Sequence, residues 1–248
     1  ARKRKNLPYL REILSVFRYL RLVDQFSRHM FRRKFQTHHT LQVCQFLFQR
    51  ILIVSELTIK IHADLFHLDI MDGHFVPNLS FSAHIVKALR PCSEMFFDVH
   101  LMIVNPEKYV QRFAQVGAGM ISFHLNAAED PDAVLALIRE NGAKAGLVIN
   151  PDIPVESLFP HLKNCDYILL MSVFAGFGGQ KFIEETYDRV RVLKAEIDRQ
   201  GLDIPIQVDG GVSASNAAAL VDAGATILVA GSAVFKAEDP AAVIAAMR

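Results

Sequence analysis

Downstream of about residue 60, short apolar runs alternate with longer stretches in which apolar residues recur at every third or fourth position. Compact apolar runs predict buried strands, and the longer amphipathic stretches predict helices. The predicted strands are Asp64–Ile70, Met95–Leu101, Met120–His124, Ala145–Ile149, Tyr167–Met171, Ile204–Val208 and Ile227–Ala230. The predicted helices are Pro106–Val116, Pro131–Glu140, Val155–Leu162, Glu185–Arg199, Ser213–Ala223 and Pro240–Met247. This regular alternation predicts a parallel α/β sheet.

The residues that bound the predicted helices agree with this alternation. Glycines stand where left-handed C-caps are expected, at Gly117, Gly142, Gly201 and Gly224. Asp130 and Ser213 precede two of the helices and are expected to act as N-caps.

Residues capable of binding or catalysis gather at the C-terminal ends of the predicted strands. They are His67, Asp69, His100, His124, Asn150, Met171, Ser172, Asp209, Gly231 and Ser232. A barrel enzyme builds its active site on that face from many strands, whereas an open doubly wound sheet concentrates its site at one switch point. The open sheet would also begin with a Gly-rich turn, which is missing here. We therefore predict a (β/α)8 TIM barrel, of which seven strands are visible in the sequence.

The composition changes abruptly near residue 60. Residues 1–60 hold 13 Lys and Arg against 3 Asp and Glu, a net charge of +10, and residues 61–248 have a net charge of −9. We therefore expect an atypical basic segment, 1–60, followed by the barrel domain, 61–248. Three interpretations of the basic segment stay open: a transit-like presequence, an amphipathic helix that binds a membrane or nucleic acid, and an added leader without function.

The overall composition restricts the class of protein. Hydrophobic residues make up 51% and charged residues 21% of 248 positions, which predicts a globular protein with one large core. No apolar run reaches the roughly 18 residues that cross a bilayer, and the three cysteines form no C-x-x-C pair. We expect a cytoplasmic protein that forms a homo-oligomer, with a small-molecule substrate and without a nucleic-acid partner.

Four ionisable residues point to a metal centre. His67 and Asp69 lie two positions apart on one face of the first predicted strand, where a buried charge is costly unless it is paired or bound to a metal. His100 and Asp209 end two other strands and would lie on the same barrel mouth. Two imidazoles and two carboxylates suit a divalent ion such as Zn, Fe, Mn or Co.

Glycine-rich segments indicate a phosphate site and a lid. Gly210-Gly211 and Gly231-Ser232 follow the last two predicted strands, where barrel enzymes often bind phosphate through backbone N–H groups. The segment from Gly176 to Phe182 is long and rich in glycine, as in a loop that closes over a ligand.

Four sequence motifs together resemble the ribulose-phosphate 3-epimerase family. They are H-L-D-I-M-D-G-H-F-V-P-N at 67–78, V-H-L-M at 99–102, G-F-G-G-Q-K-F at 176–182 and V-D-G-G-V at 208–212. The resemblance extends from about Ala63 to Arg248. It implies a TIM barrel of the ribulose-phosphate-binding type and interconversion of D-ribulose 5-phosphate and D-xylulose 5-phosphate through a 2,3-enediolate.

The resemblance also implies roles for individual residues. One divalent metal ion would be held by His67, Asp69, His100 and Asp209, and Asp69 and Asp209 would act as acid and base on opposite faces of the sugar. Substrate and phosphate contacts would come from His100, Gly176, Phe177, Gly178, Gly179, Gly210, Gly211, Gly231 and Ser232. Methionines would line the enediolate pocket at Met71, Met102 and Met171.

The chain departs from the family pattern at two places. Phe174-Ala175 precede Gly176 where the family usually has Asn-Pro, so we expect altered lid dynamics. The family's first strand and helix have no match, because the run Ile51–Ser55 lies too close to His67 for a βα unit. We therefore expect a gap between the last strand and the strand that carries Asp69. An inactive paralogue with a basic N-terminus, and an allulose-6-phosphate 3-epimerase, stay open as alternatives.

Overall fold

The computed structural model describes residues 63–248, which form one parallel sheet of seven strands surrounded by helices. The strands follow one another in chain order across the sheet. They are β1 (Leu65–Met71), β2 (Phe96–Met102), β3 (Met120–His124), β4 (Lys144–Ile149), β5 (Tyr167–Met171), β6 (Ile206–Asp209) and β7 (Ile227–Val229). The predicted basic segment 1–60 and its boundary lie outside the described residues.

Helices connect the strands, as the sequence pattern predicts. The α-helices are α1 (Ala83–Leu89), α2 (Val110–Gln115), α3 (Pro131–Glu140), α4 (Thr186–Arg199), α5 (Ala217–Ala223), α6 (Ser232–Phe235) and α7 (Pro240–Ala245). Shorter 3-10 helices occur at Arg90–Cys92, Pro106–Lys108 and Leu125–Ala127, and a longer one at Val155–Asn164 connects β4 to β5. Within residues 63–248, none of the helices is long and apolar enough to cross a membrane.

The predicted helix ends were right in most places. The side chain of Asp130 accepts a hydrogen bond from the backbone N–H of Ala133 and caps α3, as expected. Gly117, Gly142, Gly201 and Gly224 all have positive φ angles at helix ends. Ser213 was wrong as an N-cap, because α5 begins at Ala217 with Asn216 before it, and the Ser213 hydroxyl pairs with the Ser215 hydroxyl at 2.8 Å.

Side-chain contacts across the interior show that the sheet curls into a nearly closed barrel. Strands lie about 4.8 Å apart, so β2 and β6 would be separated by roughly 19 Å in a flat sheet. Instead, Gln207 Nε2 on β6 donates a hydrogen bond to Asp98 Oδ2 on β2 at 2.7 Å. Tyr167 on β5 donates its hydroxyl proton to the same carboxylate at 3.2 Å. The barrel fold that the sequence predicts is confirmed for the described strands.

The two faces of each strand have different environments. Outward-facing residues such as Val99, Ile121, Leu147, Leu170 and Val208 pack against the helices in the main hydrophobic core. Inward-facing residues of β1, β2, β3 and β6 include histidines and carboxylates, and these accumulate at the C-terminal end of the barrel. The packing therefore fixes the register that turns the polar side chains inward.

The edges of the sheet lie at β1 and β7. Among the described strands, β1 pairs with β2 alone and β7 with β6 alone. Any strand between β7 and β1 would come from residues outside 63–248, so the expected gap stays a prediction. Arg248, near the end of α7, forms an ion pair at 2.8 Å with Asp64, which precedes β1.

Candidate metal and substrate site

The four predicted metal ligands meet at the C-terminal mouth of the barrel. His67 and Asp69 come from β1, His100 from β2 and Asp209 from β6. Each offers one ligand atom, and these atoms lie within 4.8 Å of one another. Side chains from three strands thus converge on a volume the size of a single ion.

His67 is held by a buried carboxylate that sequence reasoning had not assigned to the site. Its Nδ1 lies 2.7 Å from Asp98 Oδ2, and the Asp98 side chain is fully buried. The other ring nitrogen, Nε2, is buried and has no hydrogen-bond partner among residues 63–248, although Asp69 Oδ1 is 3.3 Å away. Because Asp98 fixes a proton on Nδ1, the neutral ring offers the lone pair of Nε2 to a metal ion, whereas the charged ring carries a second proton there.

Asp98 itself is secured by two further buried side chains. Gln207 donates to Oδ2, and the Tyr167 hydroxyl donates to Oδ1. Gly146 on β4 leaves room for the Tyr167 ring, since a Cβ at this position would overlap it. This layer lies directly beneath the four ligands and fixes the orientation of the His67 ring.

His100 is fully buried and is contacted at both ring nitrogens. Its Nδ1 lies 3.1 Å from Asp69 Oδ1, and its Nε2 lies 3.0 Å from Nε2 of His124 on β3. The His124 ring in turn packs against Phe75, with ring centroids 4.7 Å apart. The loop that carries Phe75 is fixed by Asp72, whose carboxylate accepts from the backbone N–H groups of residues 74, 75 and 104.

Asp209 is positioned through its backbone. The N–H of Ser172 and its Oγ each donate to the Asp209 carbonyl at 2.8 Å. Ser172 Oγ also contacts the carbonyl oxygen of Gly210. These contacts connect the ends of β5 and β6, and they leave the Asp209 carboxyl group facing the cavity.

The two aspartates have opposite protonation preferences. Burial, together with the nearby Asp69 charge, raises the pKa of Asp209 to about 6. Burial also acts to raise the pKa of Asp69, but the His100 hydrogen bond and the neighbouring His67 outweigh it and hold that pKa well below its usual range. At neutral pH, Asp69 is therefore the stronger candidate for the ionised partner.

The pKa values of His67 and His124 are shifted by burial and by the charged groups around them. Burial acts to lower the pKa of His67, but the charges of Asp98 and Asp69 outweigh it and raise that pKa well above its ordinary value. Burial lowers the pKa of His124 well below its ordinary value, and His100 adds to this effect. The cluster thus combines the fully buried carboxyl group of Asp98 and the partly exposed ones of Asp69 and Asp209 with one imidazole that favours a positive charge.

These residues fit a divalent cation. The buried Nε2 of His67 lacks a hydrogen-bond partner in the described part of the chain, and the negative charges around it call for a positive one. Two imidazole nitrogens and two carboxylate oxygens form a ligand set of the kind that Zn, Fe, Mn or Co accept. The group could therefore hold a metal ion.

A cavity of about 680 Å³ opens above the four ligands. Every predicted site residue except His100 lines it, and His100 lies behind its wall. The three methionines lie at its base, where Met102 and Met171 are buried and Met71 is partly exposed. The metal, substrate and methionine positions predicted from the sequence, apart from His100, therefore line a single cavity.

The predicted lid, Gly176–Gly179, and the residues that flank it at 174–180 form one wall of the cavity. Gln180 Nε2 donates to the carbonyl oxygens of Phe174 and Phe177, at 2.6 and 2.8 Å, and closes the loop on itself. The Phe174 and Phe177 side chains are about half exposed. The N–H of Ala175, which the proline usual in the family would lack, donates to Asn150 Oδ1 at 3.2 Å.

The glycines after β6 and the glycine after β7 have different structural environments. Gly210 and Gly211 have positive φ angles, and a Cβ there would meet Val173 and Phe182 at less than van der Waals distance. Gly231 has no described atom within 4 Å of its would-be Cβ, so its backbone faces open space in the cavity. Turn geometry explains the first pair, whereas access to a ligand is the better explanation for Gly231.

The supporting residues that sequence reasoning missed share one signal. Asp98 stands two positions before His100, and Gln207 stands two positions before Asp209. Both pairs show a polar residue one step deeper on the same inward face of a strand. A polar residue two positions before a candidate ligand is therefore the pattern that would have found them.

Comparisons with known proteins point to one family. A model of the ribulose-phosphate 3 epimerase family matches residues 47–235. The ribulose-phosphate 3-epimerase of Synechocystis sp. is 50% identical over 188 residues, which are 75% of this chain and 82% of that protein. The enzymes of Bacillus subtilis and Escherichia coli K12 are 43% and 46% identical over 187 residues, 75% of this chain and 86% and 83% of theirs.

Solved structures show the same fold at lower identity. The tryptophan synthase α-subunit of Pyrococcus furiosus has a TM-score of 0.58 and 21% identity, covering 76% of this chain and 83% of that one. A 3-hexulose-6-phosphate synthase has a TM-score of 0.58 and 16% identity, covering 81% and 92%. The curled parallel sheet, with a His and Asp cluster at its C-terminal mouth, defines a TIM-barrel enzyme with a site that could bind a metal. The chain belongs to the ribulose-phosphate 3-epimerase family.

Proposed function

We propose that the chain inverts the configuration at C3 of a ketose phosphate and interconverts D-ribulose 5-phosphate and D-xylulose 5-phosphate. The observation that supports this most directly is the pair Asp69 and Asp209, which reach one cavity from β1 and β6. Inversion removes a proton from one face of a carbon and returns a proton to the other face, which takes one ionised and one protonated group. The opposite pKa shifts of the two aspartates supply such a pair.

In the proposed reaction, the Asp69 carboxylate takes the C3 proton from its own face of the sugar. The C–H electron pair shifts into the C2–C3 bond, and the C2 carbonyl becomes the enediolate oxygen. Asp209 then gives its proton to C3 from the opposite face, and the carbonyl re-forms. The enzyme takes up one proton and releases one in each turnover, so its proton count is unchanged. The turnover ends with Asp69 protonated and Asp209 ionised, which is the state that the reverse reaction requires.

The surrounding residues bind and orient the substrate. A divalent ion held by His67, Asp69, His100 and Asp209 would supply Lewis-acid polarisation of the C2 carbonyl. We assign the phosphate group to the backbone N–H groups of the loops at Gly210-Gly211 and Gly231-Ser232. The lid, Gly176–Gly179, would exclude water, and the apolar floor of Met71, Met102 and Met171 would keep the reacting carbon away from bulk solvent.

Proton exchange in D₂O tests the two-aspartate mechanism. The unchanged chain should epimerise ribulose 5-phosphate and place deuterium at C3. Asp69→Asn and Asp209→Asn should each lose epimerisation by at least about 100-fold, the usual minimum contribution of a general acid or base. Each variant retains one carboxyl group, on one face of the sugar. Any residual exchange of the C3 proton for deuterium should therefore occur in only one of the two epimers, and the two variants should differ in which epimer it is.

A matched control removes a carboxylate elsewhere. Asp188, on α4, has a side chain that is 84% exposed, so Asp188→Asn should keep full activity. Near-normal turnover in either active-site variant would refute the assignment of acid and base. An inactive unchanged chain with a normal fold would instead favour the inactive paralogue.

The substrate assignment rests on the lid sequence. The motif G-F-G-G-Q is complete, which favours the pentose phosphate over allulose 6-phosphate as substrate. Comparison of kcat/KM for the two sugars measures this preference. We also propose that the chain works in the cytoplasm and as a homo-oligomer.

A further inference from the structure

His124 is a buried histidine at the cavity that none of the proposed catalytic steps uses. It ends β3, its side chain is fully buried, and its Nε2 lies 3.0 Å from Nε2 of His100. Its own Nδ1 is buried with no hydrogen-bond partner among residues 63–248. A buried imidazole that leaves one nitrogen unsatisfied carries an energetic cost, so its retention calls for a function.

The contact between the two imidazoles restricts where their protons are. Two N–H groups cannot face each other at 3.0 Å, so one Nε2 carries the proton and the other accepts it. Two arrangements are therefore possible. In the first, His124 donates and His100 has its proton on Nδ1, towards Asp69; in the second, His100 donates from Nε2 and its Nδ1 is a free lone pair.

Only the second arrangement leaves His100 able to bind a metal. Its Nε2 is blocked by His124, whereas its Nδ1 faces Asp69 Oδ1 at 3.1 Å, in the midst of the other ligands. Nδ1 is thus the ligand nitrogen, and a proton there would prevent coordination. The proton must then be on Nε2, and an acceptor must face it.

We propose that His124 is a positioning residue that accepts the Nε2 proton of His100 and so keeps the Nδ1 lone pair available to the divalent ion. This inference rests on the proposed metal centre. In this arrangement the second proton of His124 is on Nδ1, for which the described residues provide no acceptor. Phe75 packs on the His124 ring and holds it in place.

The two histidine ligands are then held in different ways. Asp98 accepts from Nδ1 of His67, which presents Nε2, and His124 accepts from Nε2 of His100, which presents Nδ1. A neutral acceptor at His100 adds no further negative charge to a cluster that already holds three carboxyl groups. That difference explains why an imidazole and not another carboxylate lies behind His100.

Zinc affinity, measured by competition with a chromogenic chelator, tests the proposal. His124→Gln places an amide oxygen near the position of Nε2 and keeps an acceptor, so its affinity should stay within about threefold of the unchanged chain. His124→Met has a similar length but is at most a weak acceptor. It should lose about 10- to 100-fold in zinc affinity, as expected for the loss of an outer partner of a ligand.

NMR of the unchanged chain with ¹⁵N-labelled histidine provides a readout that does not depend on any variant folding. In the zinc-loaded protein, the His100 proton should be on Nε2 and the His124 proton on Nδ1. A His100 proton on Nδ1 in the zinc-loaded protein would overturn the proposal. Equal zinc affinities for folded His124→Met and the unchanged chain would also overturn it. A loss of zinc affinity in His124→Gln as large as that in His124→Met would overturn it too. Failure of the unchanged chain to bind zinc would refute the metal centre itself.

Discussion

The raised pKa of Asp209 predicts a loss of stability with increasing pH in the metal-free protein. The folded state keeps a proton on Asp209 up to about pH 6, whereas the unfolded chain releases it near the ordinary value of 3.8. The folded state therefore binds more protons between these two values, and its stability decreases as pH rises through that window. At about 1.4 kcal/mol for each pKa unit, the difference amounts to about 3 kcal/mol. This is an upper bound, because Asp209 lines the cavity and keeps some contact with water.

Comparison with Asp209→Asn isolates this effect from the other titrating groups. Urea unfolding would be measured for both proteins with a chelator present, at intervals from pH 4 to pH 7. The unfolding free energy of the unchanged chain minus that of the variant should fall by up to about 3 kcal/mol across the range. Asp188→Asn controls for loss of one negative charge at an exposed position. A difference that stays constant, or that increases with pH, would show that burial and Asp69 do not raise the Asp209 pKa.

Two further substitutions test the layer beneath the ligands. Asp98→Asn keeps the shape of the side chain but places an amide where His67 needs an acceptor, so zinc affinity should fall about 10- to 100-fold; unchanged affinity would contradict the orienting role of Asp98. Gly146→Ala inserts a methyl group into the Tyr167 ring and should lower the free energy of unfolding by about 1–3 kcal/mol. A stability equal to that of the unchanged chain would show that the ring has room to move.

The positions of β3 and β5 could be predicted most closely because both faces of these two strands are buried, which gives compact apolar runs. Met120–His124 and Tyr167–Met171 agree in full with the structure, and the other strands differ by one or two residues at their ends. Helix α1, at Ala83–Leu89, was not predicted. It is only seven residues long, so it offers too few turns for a clear helical period. Ser213 failed as an N-cap because its hydroxyl pairs with the hydroxyl of Ser215 and not with a backbone N–H.

The candidate ligands could be predicted, but their supporting contacts could not. His67 and Asp69 stand out because ionisable groups on a buried strand need a partner. Their partners come from other strands, and the distance between β2 and β6 depends on how the sheet curls. Propensity and periodicity carry no information on that curvature, so the hydrogen bond from Gln207 to Asp98 could be found only in the structure.

The curled sheet also explains how the site is held on β1, which is an edge strand among the described strands. His67 and Asp69 are on β1, which has a described strand on one side only. The described contacts that orient their side chains come from Asp98 and His100 on β2 and Gln207 on β6. Strands β1 and β2 pair in register over seven residues, from Leu65 to Met71. Among the described residues, the arrangement of the ligands is therefore set by β2 and by the far side of the barrel.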